Sequence, residues 1–169
     1  MKHHPKALWR HGCAAALVAA CAAVTTPVAA DEITFPAGEA CLGFPLKVEF
    51  SPDAGHLLNR VFVDRNGNFV RFLQAGQNFP ITFTNLSTGS SYRVKPEGTV
   101  FSVTPNADGS ETWVMTGHTV ITWGVSDLPE GGPATIRYVG RLVVRVSNGN
   151  AVSAPQFKGK QTDICAALS

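Results

Sequence analysis

Hydrophobic and polar residues alternate along most of this chain with the period of two that a half-buried β-strand requires. Phe44, Leu46, Val48 and Phe50 alternate with Pro45, Lys47 and Glu49, which gives one dry face and one wet face. Val61-Phe62-Val63-Asp64-Arg65 then runs into Asn66-Gly67, and Asn68-Phe69-Val70-Arg71-Phe72 returns. Asn-Gly favours the positive φ angles of a type I′ turn, so a two-residue loop is predicted, pairing Val63 with Val70 and Val61 with Phe72. All four then share one face. Phe79, Ile81 and Phe83 alternate next, with Thr82 and Thr84 outward, and Gly89 turns the chain into Tyr92 and Val94. Phe101 and Val103 lead to a hairpin at Asp108-Gly109 that returns through Trp113 and Met115, followed by Ile121, Trp123 and Val125. Gly131-Gly132-Pro133 is a break. A long strand runs from about Thr135 to Val146, and Asn148-Gly149 closes a third hairpin.

No window holds a helical period. Short strands at spacings near ten residues, about eight or nine of them, separated by Gly and Pro turns, predict an all-β, single-domain antiparallel β-sandwich, with a β-barrel as the alternative.

Residues 1–30 break this pattern and read as a cleaved export signal. Lys2, Lys6 and Arg10 precede an alanine-rich apolar run, and Val28-Ala29-Ala30 fits signal peptidase, with the mature domain at 31–169. The run is too short for a membrane span, which needs about 20 residues, so no transmembrane segment is expected. An alternative reading takes Val18-Ala19-Ala20-Cys21 as a lipobox, which would anchor the protein by a lipid on Cys21. Both readings place it outside the cytosol, secreted or at the envelope.

Cleavage changes the charge. The formal net charge of +2 becomes −1, because three cations and no acid are lost. A nucleic-acid binder shows a basic excess, so nucleic acid is not an expected partner. Of four cysteines only Cys41 and Cys165 remain. An oxidising compartment favours a disulfide between them, which requires the two ends of the domain to meet.

Ala40-Cys41-Leu42-Gly43-Phe44-Pro45, Thr84-Asn85-Leu86-Ser87-Thr88-Gly89, Asp108-Gly109-Ser110, Gly140-Arg141 and the closing Asp163-Ile164-Cys165-Ala166-Ala167-Leu168 together carry a resemblance. The chain resembles a group of uncharacterised secreted proteins of high-GC Gram-positive bacteria, mainly actinobacteria. The resemblance implies compartment and architecture and brings no activity with it.

Candidate chemistry is sparse. No Gly-x-Ser-x-Gly elbow occurs. The mature imidazoles are His56 and His118, each beside a glycine and therefore expected at strand ends or loops; either is a weak candidate base for a small secreted hydrolase, with Asp53 close to His56 in sequence. Asp64-x-Asn66-x-Asn68 copies the start of a calcium loop, but Phe69 stands where glycine is needed and Ala75 where glutamate is needed, so turn chemistry explains it. Nothing calls for a metal or a cofactor. Glu49, Glu97, Glu111 and Asp127 are not set as a facing pair by any local pattern. Trp113 and Trp123 read as core, with carbohydrate stacking as the alternative.

The sharpest surface feature is Arg137, Val139, Arg141, Val143 and Arg145, which share one parity on the long strand. A basic ridge of Arg137, Arg141 and Arg145 would suit an anionic cell-envelope polymer or an acidic protein partner, provided Gly140 introduces no bulge. These features together predict an exported, non-catalytic binding or structural module, with a hydrolase or a self-assembling envelope protein as alternatives.

Overall fold

The computed structural model describes residues 31–51, 55–127 and 132–169. The expected export segment with Cys21, and Asp53, lie outside the described residues. The described chain forms β1 (Asp31–Phe35), β2 (Leu46–Phe50), β3 (His56–Val63), β4 (Phe69–Gln77), β5 (Ile81–Asn85), β6 (Ser91–Val94), β7 (Gly98–Pro105), β8 (Glu111–Trp123), β9 (Ala134–Ser147), β10 (Asn150–Ala151), β11 (Gln156–Asp163) and one helical turn, α1 (Ile164–Ala167). All pairings are antiparallel. One sheet has the order β1-β2-β5-β6; the other runs β10-β9-β8-β7-β4-β3, with β11 beside β10 on the outer edge of β9. Neither sheet closes, so the fold is a sandwich and not a barrel.

Eleven strands form among the described residues, where eight or nine were expected. β1 and β11 are additional, β10 is the return strand of the hairpin expected at Asn148-Gly149, and the expected strands around Trp113 and Trp123 are one continuous β8. His118 therefore sits inside a strand and not at a strand end, whereas His56 opens β3.

The first hairpin also differs from expectation. Asp64 O accepts from the Gly67 N–H at 3.1 Å, and the Asp64 N–H donates to Asn68 O at 2.9 Å. Gly67 takes a positive φ of 84° and Asn66 does not. This is a type I turn closed by a glycine bulge, not a type I′ turn. The Asp64 side chain selects it: Oδ1 accepts from the N–H of Asn66 and of Asn68, and Oδ2 from Asn68 Nδ2. The extra loop residue shifts the register, so Val61 opposes Phe72 as expected but Val63 opposes Phe69.

The large sheet is bent sharply. Trp113 and Trp123 lie ten residues apart in β8, about 33 Å along a straight strand, yet both line one cavity of about 130 Å³. The bend falls on a row of glycines. Gly117 opposes Gly140 of β9, which opposes Gly159 of β11; on its other side Gly117 opposes Thr99, which opposes Gly76 of β4. Gly117 and Gly140 hold φ of 94° and 143°, values that L-residues rarely adopt. A Cβ on Gly140 would stand 2.2 Å from Lys158 O.

The bend divides the sheet into two wings. The upper wing holds residues 111–116 and 141–147 with β3, β4, β7 and β10. The lower wing holds residues 118–123 and 134–139 with the end of β11. Between them packs one core, in which Met115, Leu142, Val144 and Val146 meet Trp123 and Tyr138. Trp123 Nε1 donates to the Tyr138 hydroxyl at 2.9 Å, which satisfies a polar group that burial would otherwise penalise.

A second core lies on the opposite side of the lower wing. There the four-stranded sheet contributes Leu46, Val48, Phe83 and Val94, packed with Phe44, Ile164, Leu168 and Val120. Cys41 and Cys165 form the expected disulfide, with Cα atoms 5.5 Å apart across a separation of 124 residues. Thr135 Oγ1 donates to Ala40 O and Asn85 Nδ2 to Leu168 O, so buried hydrogen bonds fix the same junction.

Candidate functional site

β9 places Arg137, Arg141 and Arg145 at one parity, and Gly140 opposes Gly117 without a register shift. The bend at this rung still separates them. Arg137 lies on the lower wing, turned toward the small sheet, where its Nη2 donates to Glu97 Oε2 at 2.6 Å. That bond raises the Arg137 pKa above the ordinary arginine value. Arg145 is bound by Asp108 and donates from Nε to Ser110 Oγ at 2.9 Å. The Ser110 hydroxyl, foremost, and the Arg145 charge hold the Asp108 carboxyl below its usual range. Arg141 remains exposed and, among the described residues, outside any ion pair.

The cations that join Arg141 come from β11. Lys158 stands directly opposite Arg141, and Lys160 shares its parity opposite Val139, just past the glycine row; both are exposed. Two like charges directly opposed across a ladder repel each other. The sequence offered little sign of this, because Gln156-Phe157-Lys158-Gly159-Lys160 is too polar and too glycine-rich to read as a strand. The same parity of Lys158 and Lys160 beyond Pro155 was the available hint.

The outward face of the upper wing continues from there across β8, β7, β4 and β3. Thr116, Val100, Ala75 and Leu58 continue the Arg141 rung, and Val114, Ser102, Leu73 and Arg60 form the next. At the far edge Arg60 and Arg71 flank the Phe62 ring at 5.6 and 4.5 Å. Leu58 is 80% exposed. At about 4.8 Å per strand the face spans about 24 Å from β11 to β3. No carboxylate occupies a strand position on it among the described residues; Asp108, on the turn at its end, is committed to Arg145. The result is an apolar belt with free cations at both edges.

The histidines are placed differently. His56 is exposed at the start of β3, opposite Gln77. His118 lines a small cavity between the two sheets, with Nε2 3.7 Å from Glu97 Oε1. Glu97 also binds Arg137, and no serine lines that cavity among the described residues. Glu111 accepts from Trp113 Nε1 at 2.8 Å, and Asp127 accepts from the N–H groups of Gly124 and Ala151, so both act as structural acceptors. Glu49 pairs with Lys47 at 3.1 Å. Trp123 is buried, whereas Trp113 is half-buried and faces a groove.

Among the described residues no helix is long and apolar enough to cross a membrane. No protein-family description, curated protein or solved structure matches this chain, so the functional reading rests on its own residues.

Proposed function

We propose that this protein is an exported, non-catalytic binding module that docks on an anionic polymer of the cell envelope through the outer face of its upper wing. In this reading the protein belongs with the secreted actinobacterial group that it resembles. One observation carries the proposal. Arg141 and Lys158 are directly opposed as like charges on a face whose strands hold no carboxylate among the described residues, with Lys160 at the same parity just past the glycine row. Such an arrangement costs folding free energy unless an external anion offsets it. Export is supported by the residue pattern of positions 1–30 and by a disulfide, a bond typical of oxidising compartments.

The test is retention of the purified protein on isolated envelope fractions across a salt series. Each cation close to an anionic surface contributes about 1 kcal/mol, so changing Arg141, Lys158 and Lys160 together to Ala weakens retention about hundredfold at low salt. Retention also falls as salt rises and the Debye length shrinks from about 30 Å at 0.01 M to about 10 Å at 0.1 M. Retention insensitive to both salt and the triple substitution would reject the proposal.

A second reading, self-assembly, draws on β3. This eight-residue strand is the free edge of the large sheet and exposes Leu58, Val61 and Val63. Arg60 and Arg71 blunt that edge in the way charged residues commonly do. Sedimentation that depends on concentration, and that is abolished by Val61→Lys, is its distinguishing result.

A further inference from the structure

A groove opens on the other side of the upper wing, beneath the part that overhangs the lower wing. β7 pairs with β8 only from Glu111 to Gly117, while β9 pairs with β8 along its whole length to Trp123. Among the described residues, 118–123 therefore have a partner strand on one side and none on the other. Two bonds fix which backbone groups face the open side. His118 O accepts from Asn78 Nδ2 at 2.9 Å, away from β9. Thr135, the partner of Thr122, turns its N–H toward Cys165 Sγ and away from β8. Antiparallel ladders alternate, so Val120 and Thr122 aim both N–H and C=O into the groove. Asn78 closes one end of this edge, and the turn held by Asp127 Oδ2 on the Gly124 N–H closes the other.

The groove has a volume of about 380 Å³, and its lining among the described residues is uncharged. Thr119 to Thr122 form its edge, Phe101, Trp113 and Met115 its apolar roof, and Gln74 and Thr99 its polar margin. Phe72, Phe101 and Trp113 stack edge to face along the roof, with centroids 6.2 and 5.4 Å apart.

We infer that this groove binds an extended peptide segment by strand addition to the β8 edge. Main-chain donors and acceptors spaced two residues apart match the main chain of an extended peptide. The uncharged lining calls for uncharged side chains on the peptide, and the aromatic roof calls for apolar ones at alternate positions. The inference is independent of the cationic face, which lies on the opposite surface of the same wing.

The test is selection from a phage-displayed library of random nonapeptides on the immobilised protein. Enriched sequences are expected to alternate apolar and small polar residues. Synthetic versions should lose at least tenfold in affinity when the two edge-facing amides are N-methylated, and little when the intervening amides are. Thr122→Pro removes one groove-facing N–H at an edge where proline is tolerated; it should weaken binding at least tenfold relative to Thr122→Ala, which also loses the hydroxyl contact with Thr135 but keeps the N–H. The methylated peptides leave the protein untouched, so they decide the matter even where that variant fails to fold. No enrichment, or binding indifferent to methylation, overturns the inference. Amides of Val120 and Thr122 that become protected as protein concentration rises, without peptide, overturn it in favour of a second copy at the edge.

Discussion

Gly140→Ala tests the bent sheet on which both surfaces depend. Gly140 holds a φ of 143°, and an added Cβ would lie 2.2 Å from Lys158 O and 2.9 Å from the Gly159 Cα. Both contacts are backbone of the paired strand, so no rotamer change relieves them. Backbone strain at such an angle costs about 1–3 kcal/mol. Forcing one carbon into packed space costs about 1–3 kcal/mol more. The expected loss is therefore about 2–6 kcal/mol, a large part of the 5–15 kcal/mol typical of a whole domain. Gly149→Ala is the matched control: its φ is 82°, but nothing lies within 4 Å of the added carbon. It carries strain without overlap. Urea denaturation of the two variants, followed by circular dichroism, separates the terms. Gly140→Ala should lose about 1–3 kcal/mol more than Gly149→Ala. Equal losses would refute the argument that close strand contact at the glycine row sets the bend.

Two other perturbations follow from the same structure. Cys41→Ser releases a loop closed over 124 residues, and loop-closure entropy puts the destabilisation at about 5 kcal/mol; an unchanged melting temperature would contradict it. Asp64 and Asp108 have carboxyl groups held below their ordinary value of 3.8, first by the Asn68 and Ser110 side chains respectively. A depressed folded pKa means that their contribution is present above pH 3.8 and is lost as pH falls through the lower folded values. Stability measured from pH 5 to 2 should therefore fall less steeply in Asp64→Asn combined with Asp108→Asn than in the unaltered protein, and identical slopes would refute the role of these turns.

Much of the fold was legible because burial on one face imposes the strand period directly on the sequence. Leu46, Val48 and Phe83 of the small sheet, and Tyr138, Leu142, Val144 and Val146 of β9, are buried at the parity that alternation predicts. The cysteine pair was legible because the other two cysteines, Cys13 and Cys21, fall in the segment that reads as an export signal. Other features were not. The glycine between Met115 and Ile121 reads as a turn, yet Gly117 bends a strand whose ladder never breaks, and only its cross-strand partners Gly140 and Thr99 reveal that. Asn66-Gly67 carried the signal of one turn, and the Asp64 carboxylate imposed another. β11 was hidden because its side chains are mostly solvated on both faces.

The arginine ridge followed from correct parity and an assumed straight strand. The bend sends Arg137 to Glu97, and Asp108 takes Arg145, so local alternation identified one of the free cations, Arg141. Lys158 and Lys160 become its neighbours only through a pairing made across the sequence. Binding surfaces of this kind depend on which strands are adjacent, and a single sequence encodes that order weakly.

The most direct test of the proposed docking face is a lysine footprint. The protein is acetylated for a short time, free in solution and bound to envelope fractions, and the extent at each lysine is read by mass spectrometry. Lys158 lies on the outer face of the upper wing and Lys160 shares its parity just past the glycine row, whereas Lys47 belongs to the small sheet and Lys95 lines the cavity between the sheets. Docking as proposed slows acetylation at Lys158 and Lys160 and leaves Lys47 and Lys95 unchanged. Protection centred on Lys47 or Lys95, with Lys158 and Lys160 reacting at their free rates, would contradict it.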